Sequence, residues 1–82
     1  MERQDFFVKA RRFISAKARI DPEQIKSDTP LVESGIVDSL LITELIIFVE
    51  DVLDIDIEVD DFRLTSFHTL DSIYETYGSV HV

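Results

Sequence analysis

The stretch "DSLLITELIIFVEDVL", residues 38–53, decides the fold. At 100° per residue, Ile42, Leu45, Ile46, Val49, Val52 and Leu53 fall on one face. That spacing predicts an amphipathic helix from Asp38 or Ser39 to about Leu53, with this face in the core. Asp38 or Ser39 suits the N-cap, because a short oxygen-bearing side chain satisfies an unpaired amide and a carboxylate is favoured at the positive end of the helix dipole. Glu44 and Asp51 mark the opposite, solvated face. Leu40, Leu41, Ile47 and Phe48 lie around those same two acids. An apolar patch rimmed by acids, beside a serine at the helix entry, has the composition of a protein-docking surface. The plainer reading is that neighbouring helices bury these four side chains.

Upstream, residues 2–18 read as a first amphipathic helix. Phe6, Phe7, Ala10, Phe13, Ile14 and the stem of Lys17 recur at i, i+3/i+4 spacing, while Arg3, Lys9, Arg11 and Arg12 take the other faces. Between the two helices runs "RIDPEQIKSDTPLVESGIVD", a connection long enough to be functional. Asp21-Pro22 pairs an N-cap with an N1 proline and predicts a short helical turn. Ile20, Ile25 and Leu31 are placed to pin the loop to the core. Gly35, with no other glycine before Gly78, points to a backbone conformation that other residues avoid.

Downstream, "DIDIEV" alternates as a strand would, but a lone strand has nothing to pair with. It reads as a loop with Ile55 and Ile57 facing inward, leading to a short helix near Asp60 to Leu64. A last helix starts after Thr69, a good N-cap, with Asp71 in its first turn; it carries Leu70, Ile73, Tyr74 and Tyr77, and Gly78 stops it. The expectation is all-α: a four-helix bundle with a long first loop, a short third helix and no sheet. It forms one domain over residues 1–82, closed around Phe6, Phe13, Ile14, Ile46, Val49, Leu53, Phe62, Leu70 and Ile73.

Charge and composition narrow the function. Residues 1–20 hold six bases against two acids, and residues 21–82 hold two bases against fifteen acids. Nine acids and no base lie between Asp38 and Asp61. Such a surface repels phosphate backbones and attracts basic proteins, which argues against nucleic acid as partner. There is no cysteine, so neither disulfides nor thiolate zinc sites support the fold, and a reducing cytoplasm suits the chain. No apolar run is long enough to span a membrane, and the charged N-terminus lacks a signal-peptide core.

Autonomous chemistry finds no support. Asp54, Asp56, Glu58 and Asp60 resemble the start of a calcium loop, but Val59 stands where the glycine belongs and Thr65 where the closing Glu belongs. Around Ser39 the glycines of a nucleophile elbow are missing, and the two histidines, His68 and His81, offer no evident base. Two distant glycines cannot cradle a phosphate. Nothing in the chain activates Ser39, so any chemistry there is done to it by another protein.

"LVESGIVDSL", leading into "LITELIIFVEDVLDIDI" and then "DFRLTSFHTLDSIYE", resembles the acyl and peptidyl carrier proteins over nearly the whole chain. The likeness includes length, acidity, the long first loop and the helical layout, with Phe62 and Thr69-Leu70-x-x-Ile73 matching the later helices. The resemblance implies that Ser39 receives 4′-phosphopantetheine from coenzyme A through a magnesium-dependent phosphopantetheinyl transferase. The arm's thiol then holds an acyl or aminoacyl thioester, and the carrier itself supplies no catalytic residue. It implies that Asp38 helps the transferase dock and that Leu40 is the apolar residue beside the arm. Leu41, Glu44, Ile47, Phe48, Asp51 and Asp54 complete a face read by partner enzymes: activating ligases, synthases or transferases with basic docking surfaces. A monomer is expected.

Leu41 and Ile42 replace the polar residues usual in dedicated fatty-acid carriers, and Phe48 replaces a smaller one. With the basic first helix, these features lean toward a free-standing carrier of a nonribosomal-peptide, polyketide or aminoacyl-transfer pathway. Two alternatives stand beside it. One is a fatty-acid synthesis carrier; the other is an acidic helical interaction module without a prosthetic group, in which Ser39 is only a cap.

Overall fold

The computed structural model describes residues 1–58 and 63–78. Among these residues there are three α-helices, in chain order α1 (Arg3–Ala18), α2 (Ser39–Leu53) and α3 (Leu70–Tyr77). Two 3-10 turns accompany them, Pro22–Gln24 and Leu64–Phe67, and there is no strand among the described residues. The helices form where the periodicity places them because each buries an apolar stripe on the others. From α1 come Phe6, Ala10 and Ile14; from α2, Leu41, Leu45, Val49 and Leu53; from α3, Leu70 and Ile73.

Of the four expected helices, the short third one is not seen among the described residues. Its interval near 60–64, together with Phe62, falls largely outside the described residues. The 3-10 turn Leu64–Phe67 occupies the next stretch of chain and buries Phe67 completely. Phe67 thus joins the core, a place that its non-periodic surroundings did not announce. Four expected core residues sit at the margin instead: Phe13, Ile42, Ile46 and Val52 are half-buried and pack against the core from outside.

The long loop is stitched down by backbone hydrogen bonds. The Leu31 amide donates to the His68 carbonyl (2.8 Å), the Val37 amide to Leu31 (2.9 Å), and the Asp71 amide to Ser27 (3.0 Å). Ile25, Leu31 and Val37 are fully buried beneath these bonds, and Ile20 packs at the edge. Asp21 caps the first 3-10 turn by accepting from the Glu23 amide. The entry to α2 is therefore held by the core and does not swing on a free tether.

Beyond α2, residues 55–58 form the expected loop, with Ile55 and Ile57 packed on the core. A Glu50 carboxylate oxygen accepts from the Ile57 amide at 2.8 Å and anchors it. At α3 the Thr69 cap forms a capping box with Ser72. Gly78 ends α3 in right-handed geometry, at φ −71°, so its role is not the left-handed one. A Cβ there would meet the Tyr74 ring at 2.5 Å, so close packing requires the glycine.

Left-handed geometry occurs at Gly35 (φ 84°), and at Arg19 and Asp54 (φ 58° and 54°), the residues that terminate α1 and α2. A side chain in this region costs about 1–2 kcal/mol relative to right-handed geometry. Arg19→Gly should therefore stabilise the domain by about 0.5–1 kcal/mol, and Gly35→Ala should destabilise it by about 1–2 kcal/mol. Urea midpoints measure both; shifts of the same sign would contradict these backbone assignments.

Candidate functional site

Asp38 caps α2: its Oδ1 accepts from the Leu41 amide at 2.8 Å, with Asp38 itself in extended geometry. Ser39 is therefore the first residue of the helix and not its cap. Its side chain is exposed, and among the described residues nothing hydrogen-bonds its hydroxyl. A primary alcohol thus stands at the positive end of a helix, with its Cα fixed by the stitched loop on one side and the cap on the other.

Around it, the expected partner face is largely gathered on one side of α2. Leu40 and Ile47 are the apolar members, 73% and 54% exposed, far more than packing against a neighbouring helix would leave them. Asp51 and Asp54 are exposed beside them. Glu44 is half-exposed and pairs with Lys17 of α1 at 3.7 Å. Two expected members of the face are less exposed than the rest. Leu41 is 7% exposed and belongs to the core, because the buried stripe of α2 extends through Leu45 and Val49 back to it. Phe48 is half-buried and stacked on Phe13, with ring centroids 4.5 Å apart and planes 19° from parallel.

Lys17 and Phe13 are contributions from α1 that the α2 sequence could not announce. The signal was faint: both lie on the apolar spacing of the first helix, where a lysine interrupts the stripe. His68 pairs with Glu33 at 3.6 Å and not with Ser39. Among the described residues no group of three acids or histidines is placed to hold a metal ion, and no helix is long and apolar enough to cross a membrane.

Residues 9–76, most of the chain, match the family described as the phosphopantetheine attachment site. The chain belongs to that family. No curated protein and no solved structure matches it. The all-helical layout agrees with that membership. A phosphopantetheine-attachment domain bears 4′-phosphopantetheine as its prosthetic group.

The head of α2 in this attachment domain fits such a group. A phosphodiester needs an accessible hydroxyl, and the Ser39 hydroxyl is exposed and unpartnered among the described residues. Its negative charge is favoured at the unsatisfied amides of a helix N-terminus. Leu40, at the next position, is exposed and would offer an apolar surface to such an arm. When bound, the group supplies a thiol on a long tether.

Proposed function

We propose that Ser39 bears the 4′-phosphopantetheine arm. The protein, one carrier domain over residues 1–82, then shuttles thioester-bound acyl or aminoacyl intermediates between biosynthetic enzymes. The observation that carries this reading is the division of labour at the head of α2. Asp38 performs the capping, which leaves the Ser39 hydroxyl exposed and without a structural task. That arrangement weighs against an interaction module in which Ser39 is merely a cap. Loading forms the Ser39 Oγ–phosphorus bond, breaks the pyrophosphate of coenzyme A and releases its adenosine bisphosphate half; the serine proton passes to a base of the transferase.

The protein supplies the tethered attachment and the surface that enzymes read, and no catalytic group. A specialised pathway (nonribosomal peptide, polyketide or aminoacyl transfer) is favoured by the basic residues of α1 and by bulky Phe48. Leu41 no longer bears on that choice, since its apolar character serves the core. The acidic balance and the lack of cysteine suit a cytoplasmic monomer. The test is intact mass after incubation with coenzyme A, magnesium and a broad-specificity transferase. One phosphopantetheine added per chain supports the reading; an unchanged mass under conditions that load a control carrier contradicts it.

The same reaction tests the docking face. Leu40 and Ile47 form its apolar centre, with Asp38, Glu44, Asp51 and Asp54 as its acids. Exposed acids contribute under about 1 kcal/mol each to folding, so Glu44→Lys with Asp51→Lys should leave thermal stability nearly unchanged. Against a basic transferase the double variant should load more slowly, most visibly at low salt, where screening is weakest. Ile47→Ala should instead shorten the lifetime of the complex, as loss of a desolvated anchor does. Equal loading rates for the double variant and wild type at low salt would reduce the acidic face to solubilising surface.

A further inference from the structure

Two clefts run along the seam between α1 and α2, and the Lys17–Glu44 pair lies in both. The first, about 290 Å³, opens beside Ser39: Asp38 and Leu40, its two chain neighbours, line it, together with Lys17, Ala18, Ile36 and Glu44. The second, about 240 Å³, continues over the stacked Phe13 and Phe48 to Ile47 and Asp51. The pair thus sits as a bar across one groove that begins at the attachment residue. At 3.7 Å, with both side chains half-exposed, it is a loose pair that a closer anion can displace.

Resting on the reading of Ser39 as the attachment residue, we propose that the phosphopantetheine arm lies in this α1–α2 groove, and that Lys17 positions it by exchanging Glu44 for the Ser39 phosphodiester. Three features support this assignment. The arm is tethered between two residues that already line the cleft. Among the described residues Lys17 is the only cation lining either cleft, and it shares them with the carboxylates of Asp38, Glu44 and Asp51, to which loading adds a further anion. Leu40, 73% exposed, and half-buried Ile36 offer the arm's geminal methyl groups an apolar wall. In this arrangement α1, basic in an otherwise acidic chain, acts on the arm, and loading frees the Glu44 carboxylate for a partner.

The experiment is nuclear Overhauser spectroscopy on the intact chain loaded with a carbon-labelled arm, loading first being verified by mass. Wild type should show cross-peaks from the arm's geminal methyls to the methyls of Ala18, Ile36 and Leu40. Lys17→Glu should abolish them, Lys17→Gln should weaken them and Lys17→Arg should retain them. Dispersed amide spectra show that each exposed-site variant is folded. A loaded wild type without cross-peaks to Ala18 and Ile36 overturns the groove assignment. Cross-peaks unchanged in Lys17→Glu overturn the role of Lys17. Absence of any loading overturns the attachment reading itself, and this inference with it, so the failures are distinguishable.

Discussion

Phe67→Ala is expected to destabilise the domain by about 3–5 kcal/mol, the range for removing a buried phenyl ring and leaving a cavity. Phe67 is fully buried in the 3-10 turn ahead of α3, against Tyr77 at 5.7 Å between ring centroids. Three things depend on that turn: the His68 carbonyl that accepts from Leu31, the Ser66 carbonyl that accepts from the Ser72 hydroxyl, and the approach to the Thr69 capping box. A ring lost there loosens both α3 and the loop that feeds α2. Native domains hold about 5–15 kcal/mol in total, so the variant should melt at far lower urea and leave little folded protein at body temperature. Phe13→Ala removes a half-buried ring and should cost less. Equilibrium urea unfolding decides the matter; a Phe67→Ala midpoint close to wild type would mean that the core is closed elsewhere.

That contrast shows what the sequence carries and what it leaves open. The helices are legible because capping chemistry and periodicity are local: Thr69 before Leu70, Asp21 before Pro22 and Asp38 before Ser39 each announce an element. Gly35 announces its positive φ for the same reason. The burial of single residues is less legible where apolar residues surround a helix. In α2 both Leu40 and Leu41 continue the apolar run, and only the packing of the rest of the chain buries one and exposes the other. Phe67 lies in a segment without period, so no pattern could rank it above its neighbours. Pairings between distant residues, Lys17 with Glu44 and Phe13 with Phe48, leave no trace in either segment read alone. The candidate site was legible where it is local, in Asp38-Ser39-Leu40, and obscure where α1 completes it.

The second large effect concerns Ser39 itself. Ser39→Ala should reduce phosphopantetheine loading to nothing, since the reading gives the arm no other oxygen to occupy. The fold should barely respond. Ser39 is the first helical residue, its hydroxyl makes no hydrogen bond among the described residues, and alanine is the best helix former, so the change should stay within about 0.5 kcal/mol. Asp38→Ala behaves in the opposite sense. It removes the bond accepted from the Leu41 amide and should cost about 0.5–2 kcal/mol, while leaving the acceptor hydroxyl in place. Its loading should slow through weaker docking, but not cease. Stability and loading are thereby separated across two adjacent residues.

The most direct measurement is fragmentation mass spectrometry of the protein after reaction with coenzyme A and a transferase, run on wild type and Ser39→Ala together, with urea unfolding of both. The account predicts one phosphopantetheine on the wild-type peptide, localised to Ser39, with none on a Ser39→Ala protein of unchanged stability. An arm found on another residue, or still present in the folded Ser39→Ala protein, would contradict it.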